Sequence, residues 1–335
     1  MPAEWQPQRA VWIAWPHNPQ TWPGHFQPIP GCFRNFIAAI AAAVPVRVIG
    51  ASHLRGQAGL EQMAGVTWVD IETNDSWIRD YGPTFVVDES GKKYAIDWRY
   101  NSWGGKYPPW DADDRATASI ISDANWPRVE GGLCLEGGAL EWDGSGRLLT
   151  TTSCLVTDTR NPGWTKPQIE NRLRDLAGAR EIVWVDGGGL VGDDTDGHID
   201  QLARFIDQET VVVAVSDDPD DPNHSGLQAN EELLRQWAGR TSPSVDVHRL
   251  PIPPARFVDG QRVPESYCNF LRLGPERLLV PTFGCDKSDS YAIELLGDLA
   301  RQQSPQVEVV GIDCRDLVWG LGALHCASCN EPAVP

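Results

Sequence analysis

Basic charge is scarce in this chain. Its 28 lysines and arginines face 46 aspartates and glutamates, a formal net charge of −18 over 335 residues. Such a surface repels nucleic acid and anionic membranes and draws small cations, although acidity also serves solubility alone. Long apolar runs are missing too, and none approaches the ~18 residues of a membrane span. The opening Met1-Pro2-Ala3-Glu4-Trp5 has no basic stretch leading into an apolar one, so no secretory signal is expected. The eight cysteines then point to the reducing cytoplasm, as reactive thiols or small core residues, and disulfides are not expected. Linkers and low-complexity tracts are absent as well. The acidic "SDDPDDPNHSG" at 216–226 is the loosest stretch and reads as a surface loop, which favours a single domain over residues 1–335.

What is present is a core former: 41% of residues are hydrophobic and 15 are tryptophan, so a globular chain with tryptophan-lined pockets is expected. Five stretches carry helical periodicity: 33–43 "FRNFIAAIAAA", 113–122 "DDRATASIIS", 167–176 "PQIENRLRDL", 227–238 "LQANEELLRQWA" and 289–302 "DSYAIELLGDLARQ". Short β-type runs lie between them: "VRVIG", "GVTWVDI", "KYAIDW", "RLLTTTSCLV", "EIVWVD", "ETVVVAVS", "RLLVPTF" and "VEVVGI". One helix with several short strands, repeated about five times, predicts a ring of α/β modules, with an ordinary mixed α/β domain as the alternative.

Polar residues and glycines gather at four places. In "NDSWIRDYGPTF", Asp75, Arg79 and Asp80 share one turn. Pairing of Arg79 with an aspartate would leave Asp80 free. In "LCLEGGALEW", Glu136 stands among apolar residues, where an unpartnered carboxylate is costly. In "DGGGLVGDDTDGHIDQLARF", His198 and Asp200 lie two apart. On an extended strand both would face one way, as an acid/base unit or a metal-ligand pair. A calcium loop lacks its closing glutamate there, and a phosphate cradle lacks its glycine pattern. The fourth is the tail "GLGALHCASCNEPAVP".

The Cys326–Cys329 spacing would suit redox chemistry only at a helix N-terminus, and Pro332 forbids that helix. A zinc site would need a second ligand pair that the chain lacks. Cys326 remains as a nucleophile, and His198 is the base or acid best suited to it. His325 is expected to face away from the same substrate atom. A thiolate, a histidine and separated carboxylates together suit a planar cation with several N–H donors, such as a guanidinium.

These motifs, in this order, make the sequence resemble agmatine deiminases, relatives of the bacterial peptidyl-arginine deiminases in the guanidino-group-modifying superfamily. The likeness runs from "MPAEWQPQRAVWIAWPHNPQTWPG" through "NDSWIRDYGPTF", "DWRYNSWGGKYPPWDADD", "EGGALEWDGSGRLLTTTSCL", "GDDTDGHIDQLARF" and "PESYCNF" to "LHC". The resemblance implies an α/β fold, a five-bladed propeller of ββαβ modules (the pentein fold). It implies Cys326 as nucleophile, His198 as acid/base, Asp80 and Asp200 as guanidinium-binding carboxylates, Glu136 orienting the histidine, and Trp77 along the substrate's aliphatic arm. It implies no metal and no cofactor. The expected partner is a small cationic guanidine, first agmatine, then another guanidino compound or a peptidyl-arginine; a silent guanidine-binding paralogue is the other reading. The sequence is compatible with a homo-oligomer. The tail departs from the usual Gly-Gly-Gly-Asn-Ile-His-Cys-Ile-Thr, with Leu321 for a glycine and Ala323 for the asparagine, changes expected to bear on which guanidine is accepted.

Overall fold

The computed structural model describes residues 1–333. Its first sheet begins with β1 (Gln8–Ala14), which pairs in parallel with β2 (Val46–Gly50) across helix α1 (Ile29–Ala41). Strand β3 (Val66–Asp70) adds in parallel at the edge. Helix α1 forms because Ile29, Phe33, Phe36, Ile37 and Ile40 fall on one face, and that face is buried.

The same unit then recurs. Antiparallel β4 (Thr84–Val87) and β5 (Lys93–Arg99) lead into α2 (Asp111–Ala124), and β6 (Arg128–Cys134) returns parallel to β5. The next unit has β7 (Glu141–Trp142), β8 (Arg147–Thr150), α3 (Lys166–Ala177) and β9 (Glu181–Trp184). Then come β10 (Ala203–Asp207), β11 (Thr210–Val215), α4 (His224–Ala238) and β12 (Asp246–Pro251). A small hairpin, β13 (Phe257–Val258) and β14 (Gln261–Arg262), interrupts. The last unit is β15 (Leu271–Leu273), β16 (Arg277–Thr282), α5 (Asp286–Gln303) and β17 (Glu308–Asp313). Finally β18 (Cys329–Pro332) pairs antiparallel with β1, so the chain's end supplies the first strand of its opening unit.

The middle strands are the most apolar because helices or neighbouring units cover both their faces; every residue of β11 is buried. All five expected helices are present, and α4 starts at His224, inside the stretch read as a loop. The run "RLLTTTSCLV" is strand only to Thr150. Thr152 to Leu155 then form a helical turn, started by hydrogen bonds from the Thr152 backbone N–H and hydroxyl to Asp186. Among the described residues no helix is long and apolar enough to cross a membrane.

Candidate active site

A functional group comes from the short turn just ahead of each unit's first strand. The turn Ile78–Tyr81 before β4 holds Asp80, with Trp77 at its N-cap. Glu136 precedes the turn Gly137–Ala139 before β7, and His198 precedes the turn Ile199–Gln201, which holds Asp200, before β10. Asn269 ends the turn Tyr267–Asn269 before β15, and Cys326 lies in the turn before β18. His198 and Asp200 are therefore not on an extended strand. The Asp193 side chain accepts from the Thr195 and Gly197 backbones and curls this segment, and the two groups still converge.

Gly138 marks the convergence point. A Cβ there would come within 2.6 Å of His198 Nδ1, 2.7 Å of Asp80 Oδ1 and 3.1 Å of Asp200 Oδ2, so only glycine leaves the space open. Its backbone N–H donates to Asp80 Oδ1 at 3.0 Å, and Trp103 Nε1 donates to Oδ2 at 3.0 Å. The Cys326 sulfur is 3.6 Å from Asp200 Oδ2. His198, Asp200 and Glu136 are fully buried, and Cys326 is 4% exposed. Trp77 packs on Trp22 and on the tail, where a Cβ at Gly322 would lie 2.6 Å from its ring.

The His198 ring stands between two carboxylates at ion-pair distance, Nδ1 3.5 Å from Asp80 and Nε2 3.6 Å from Glu136. Burial would lower its pKa, but Asp80, Glu136 and Asp200 outweigh that and raise it to about 9. Burial raises Asp80 to about 6, against the pull of His198. Burial also works against Asp200, yet His325 and His198 hold it below the usual carboxylate range; Glu136 is held low in the same way by His198 and Arg160. Burial first, then the Asp200 and Asp80 charges, push the Cys326 thiol well above its ordinary value. Among the described residues both His198 ring nitrogens and Asp200 Oδ1 lack hydrogen-bond partners, so a buried carboxylate acceptor is left open at this point.

Sequence reasoning missed four supporting residues. Arg160 Nε meets both oxygens of Glu136 at 2.8 and 2.9 Å, deep in the core. Trp103 and Asn269 touch Asp80 and Cys326 directly. Glu4 receives Arg79 at 3.1 Å, Arg204 at 2.9 Å and His325 Nε2 at 2.8 Å. Arg79 thus pairs with Glu4 rather than with Asp75 or Asp80, because its side chain runs under the turn toward β18 and Asn330. His325 sits behind Asp200, its Nδ1 2.7 Å from Oδ2, and reaches the site through that oxygen. Cys329 is buried in β18, its sulfur 3.6 Å from the Pro83 carbonyl. The one signal for Asn269 was repetition: four units offered a residue ahead of the first strand, and the fifth had none assigned.

A model of the Porphyromonas-type peptidyl-arginine deiminase family matches residues 1–332. The agmatine deiminase of Pseudomonas savastanoi pv. phaseolicola is 34% identical over 99% of this chain and 95% of its own length, and that of Stutzerimonas stutzeri is 34% identical over the same shares. Among solved structures, the agmatine deiminase of Enterococcus faecalis matches with a TM-score of 0.89 at 29% identity, covering 99% of this chain and 95% of that one. An amidinotransferase from Microseira wollei, 14% identical over 98% and 96% of the two chains, shares the fold alone at a TM-score of 0.58. On the strength of the match along nearly its whole length, the chain belongs to the family of Porphyromonas-type peptidyl-arginine deiminases.

Proposed function

We propose that this chain is a hydrolase of linear amidines that converts agmatine to N-carbamoylputrescine and ammonia. The five repeated units close as the blades of an α/β propeller in one domain, and the turns ahead of their first strands meet at its centre. One observation carries the chemistry: Asp80, Asp200 and His198 converge on the space above Gly138, with the Cys326 thiol against Asp200. The enclosure favours a small free guanidine over an arginine held in a peptide. Eight unpaired thiols and the acidic surface support a cytosolic protein with a cationic substrate.

In this reading Asp80 and Asp200 take the guanidinium, with the Asp200 Oδ1 that lacks a partner receiving one of its N–H groups. The bound cation offsets the two carboxylates that hold the thiol up, so the thiolate forms as substrate enters and its proton passes to solvent. The sulfur lone pair bonds to the guanidinium carbon, and the C=N pair moves onto nitrogen. His198, protonated at neutral pH, gives its proton to the departing nitrogen, and the C–N bond breaks to release ammonia. The neutral ring then takes a proton from water. Hydroxide adds to the carbon, the C–S bond breaks to expel the thiolate, and the hydroxyl proton passes to solvent to leave the neutral ureide. Glu136, anchored by Arg160, holds the ring on its far side. Trp77 lines the substrate's aliphatic arm.

The test is ureide and ammonia formation by purified protein from agmatine, free arginine, a peptidyl-arginine and short guanidino acids side by side. Agmatine is expected to lead, and Cys326→Ala is expected to bind it without turnover. A Cys326→Ala protein with undiminished activity would overturn the nucleophile. The profile of kcat/KM should be bell-shaped, rising near pH 6 as Asp80 ionises and falling near pH 9 as His198 loses its proton. A flat profile between pH 5 and about 10 would remove both assignments.

A further inference from the structure

Four of the five units deliver a charged or nucleophilic group to the centre, and the fifth delivers Asn269. This amide is buried, and its orientation is determined by its neighbours. Oδ1 lies 3.1 Å from the His325 backbone nitrogen and 3.3 Å from that of Cys326, both obligatory donors, so the oxygen must be the atom on that side. The NH2 group is thereby turned toward the nucleophile, with Nδ2 3.1 Å from Cys326 Sγ. A neutral thiol is a weak acceptor, whereas a thiolate is a strong one, and a fixed N–H at this distance favours the charged form. The need for it is plain from the surroundings. Asp200 Oδ2 stands 3.6 Å from the same sulfur, and Asp80 lies on the same side of the pocket, so both oppose the negative charge that attack requires.

We propose that Asn269 is a catalytic residue: its side-chain N–H stabilises the Cys326 thiolate before attack and again when the C–S bond breaks, while its oxygen clamps the nucleophile's own backbone. The amide that serves the sulfur comes from a segment 57 residues upstream of it.

The proposal deepens the deiminase reading and rests on Cys326 being the nucleophile, but it can be tested without substrate. The rate of carboxamidomethylation of Cys326 by iodoacetamide at pH 8, read on the Cys326 peptide by mass spectrometry, reports the thiolate directly. Asn269→Leu keeps the branching of the side chain and removes the donor together with the oxygen that holds the two backbone N–H groups. Its rate is expected to fall at least tenfold, because hydrogen bonds to charged groups typically exceed the roughly 1.4 kcal/mol that a factor of ten represents. Asn269→Asp retains an oxygen for both backbone donors and turns a second acceptor on the sulfur, so its rate should fall further. Alkylation of Asn269→Leu at the unmodified rate overturns the proposal. Should Asn269→Leu not fold, Asn269→Asp decides alone, and an unchanged rate there overturns it equally. Failure of agmatine turnover by the unmodified protein would instead strike the deiminase reading and leave the alkylation result standing.

Discussion

Asp80 is a carboxylate kept where its charge is expensive. Its pKa in the folded protein, about 6, lies above the 3.8 of a free side chain, with burial as the main cause. A group raised in this way contributes stability only at low pH, and the contribution is lost as pH rises through about 6. Asp80→Asn should therefore be more stable than the unmodified protein at pH 8, by on the order of 1–3 kcal/mol, and no more stable at pH 4. Urea unfolding at the two pH values checks it. The same variant should lose agmatine turnover, the exchange of stability for function expected of a strained site. Arg160 is the reverse case. Its guanidinium meets both Glu136 oxygens, and Arg160→Ala should cost about 3–5 kcal/mol because the buried carboxylate then keeps only the longer His198 contact. A loss under about 1 kcal/mol would show that Glu136 is neutral or hydrated.

At the scale of elements, short turns do the positioning. Each holds its group just before a strand begins, so the strand's ladder anchors the backbone while the side chain stays free to point inward. The segment carrying Glu4 works at one remove. Glu4 holds the His325 ring, and the ring occupies Asp200 Oδ2, which leaves Oδ1 without a partner among the described residues. In the proposed reaction Glu4 and His325 would therefore be positioning residues. Glu4→Ala should raise KM for agmatine about tenfold or more, roughly the worth of a charge-assisted hydrogen bond, with a smaller effect on kcat. Glu4→Gln, which can still accept from His325, should recover most of the affinity although it loses the same ion pairs to Arg79 and Arg204. Equal KM values for the two variants would show that Glu4 serves stability alone.

Across the whole molecule, strands more than three hundred residues apart close one sheet. Strand β18 pairs with β1, and Glu331 within it is fully buried, accepting from Trp12 Nε1 and Trp126 Nε1 at 3.0 Å each and from Arg9 at 2.8 Å. Strand β18 begins three residues beyond Cys326, so the closure of the first sheet also sets the position of the Cys326 turn. Glu331→Ala leaves two buried indole donors without acceptors, at about 1–3 kcal/mol each. Calorimetric unfolding should show a loss of at least about 2 kcal/mol, accompanied by reduced turnover. Unchanged activity in a destabilised protein would separate the joint from the site.

The five helices and most strands were legible because helical and alternating patterns are local properties, read over a dozen residues at a time. Asp80, Glu136, His198, Asp200 and Cys326 could be singled out as candidates because each stands in a glycine-punctuated polar segment, whereas Trp77 entered only through the family resemblance. The strand reading of His198 and Asp200 failed on a local detail, the capping of their segment by Asp193, which a two-residue spacing does not reveal. Trp103, Arg160 and Glu4 were not singled out because their roles depend on partners distant in the chain, and Asn269 carried only the weak signal of its place ahead of a unit's first strand. Their partners lie 23, 24, 321 and 57 residues away, and hydrogen bonds of that kind exist only once the units have packed. The sequence by itself determined the chemistry available to this protein, since side-chain types do not change on folding. Which carboxylate is charged, which oxygen is free and what faces the sulfur were decided by burial and distance, and those belong to the tertiary structure.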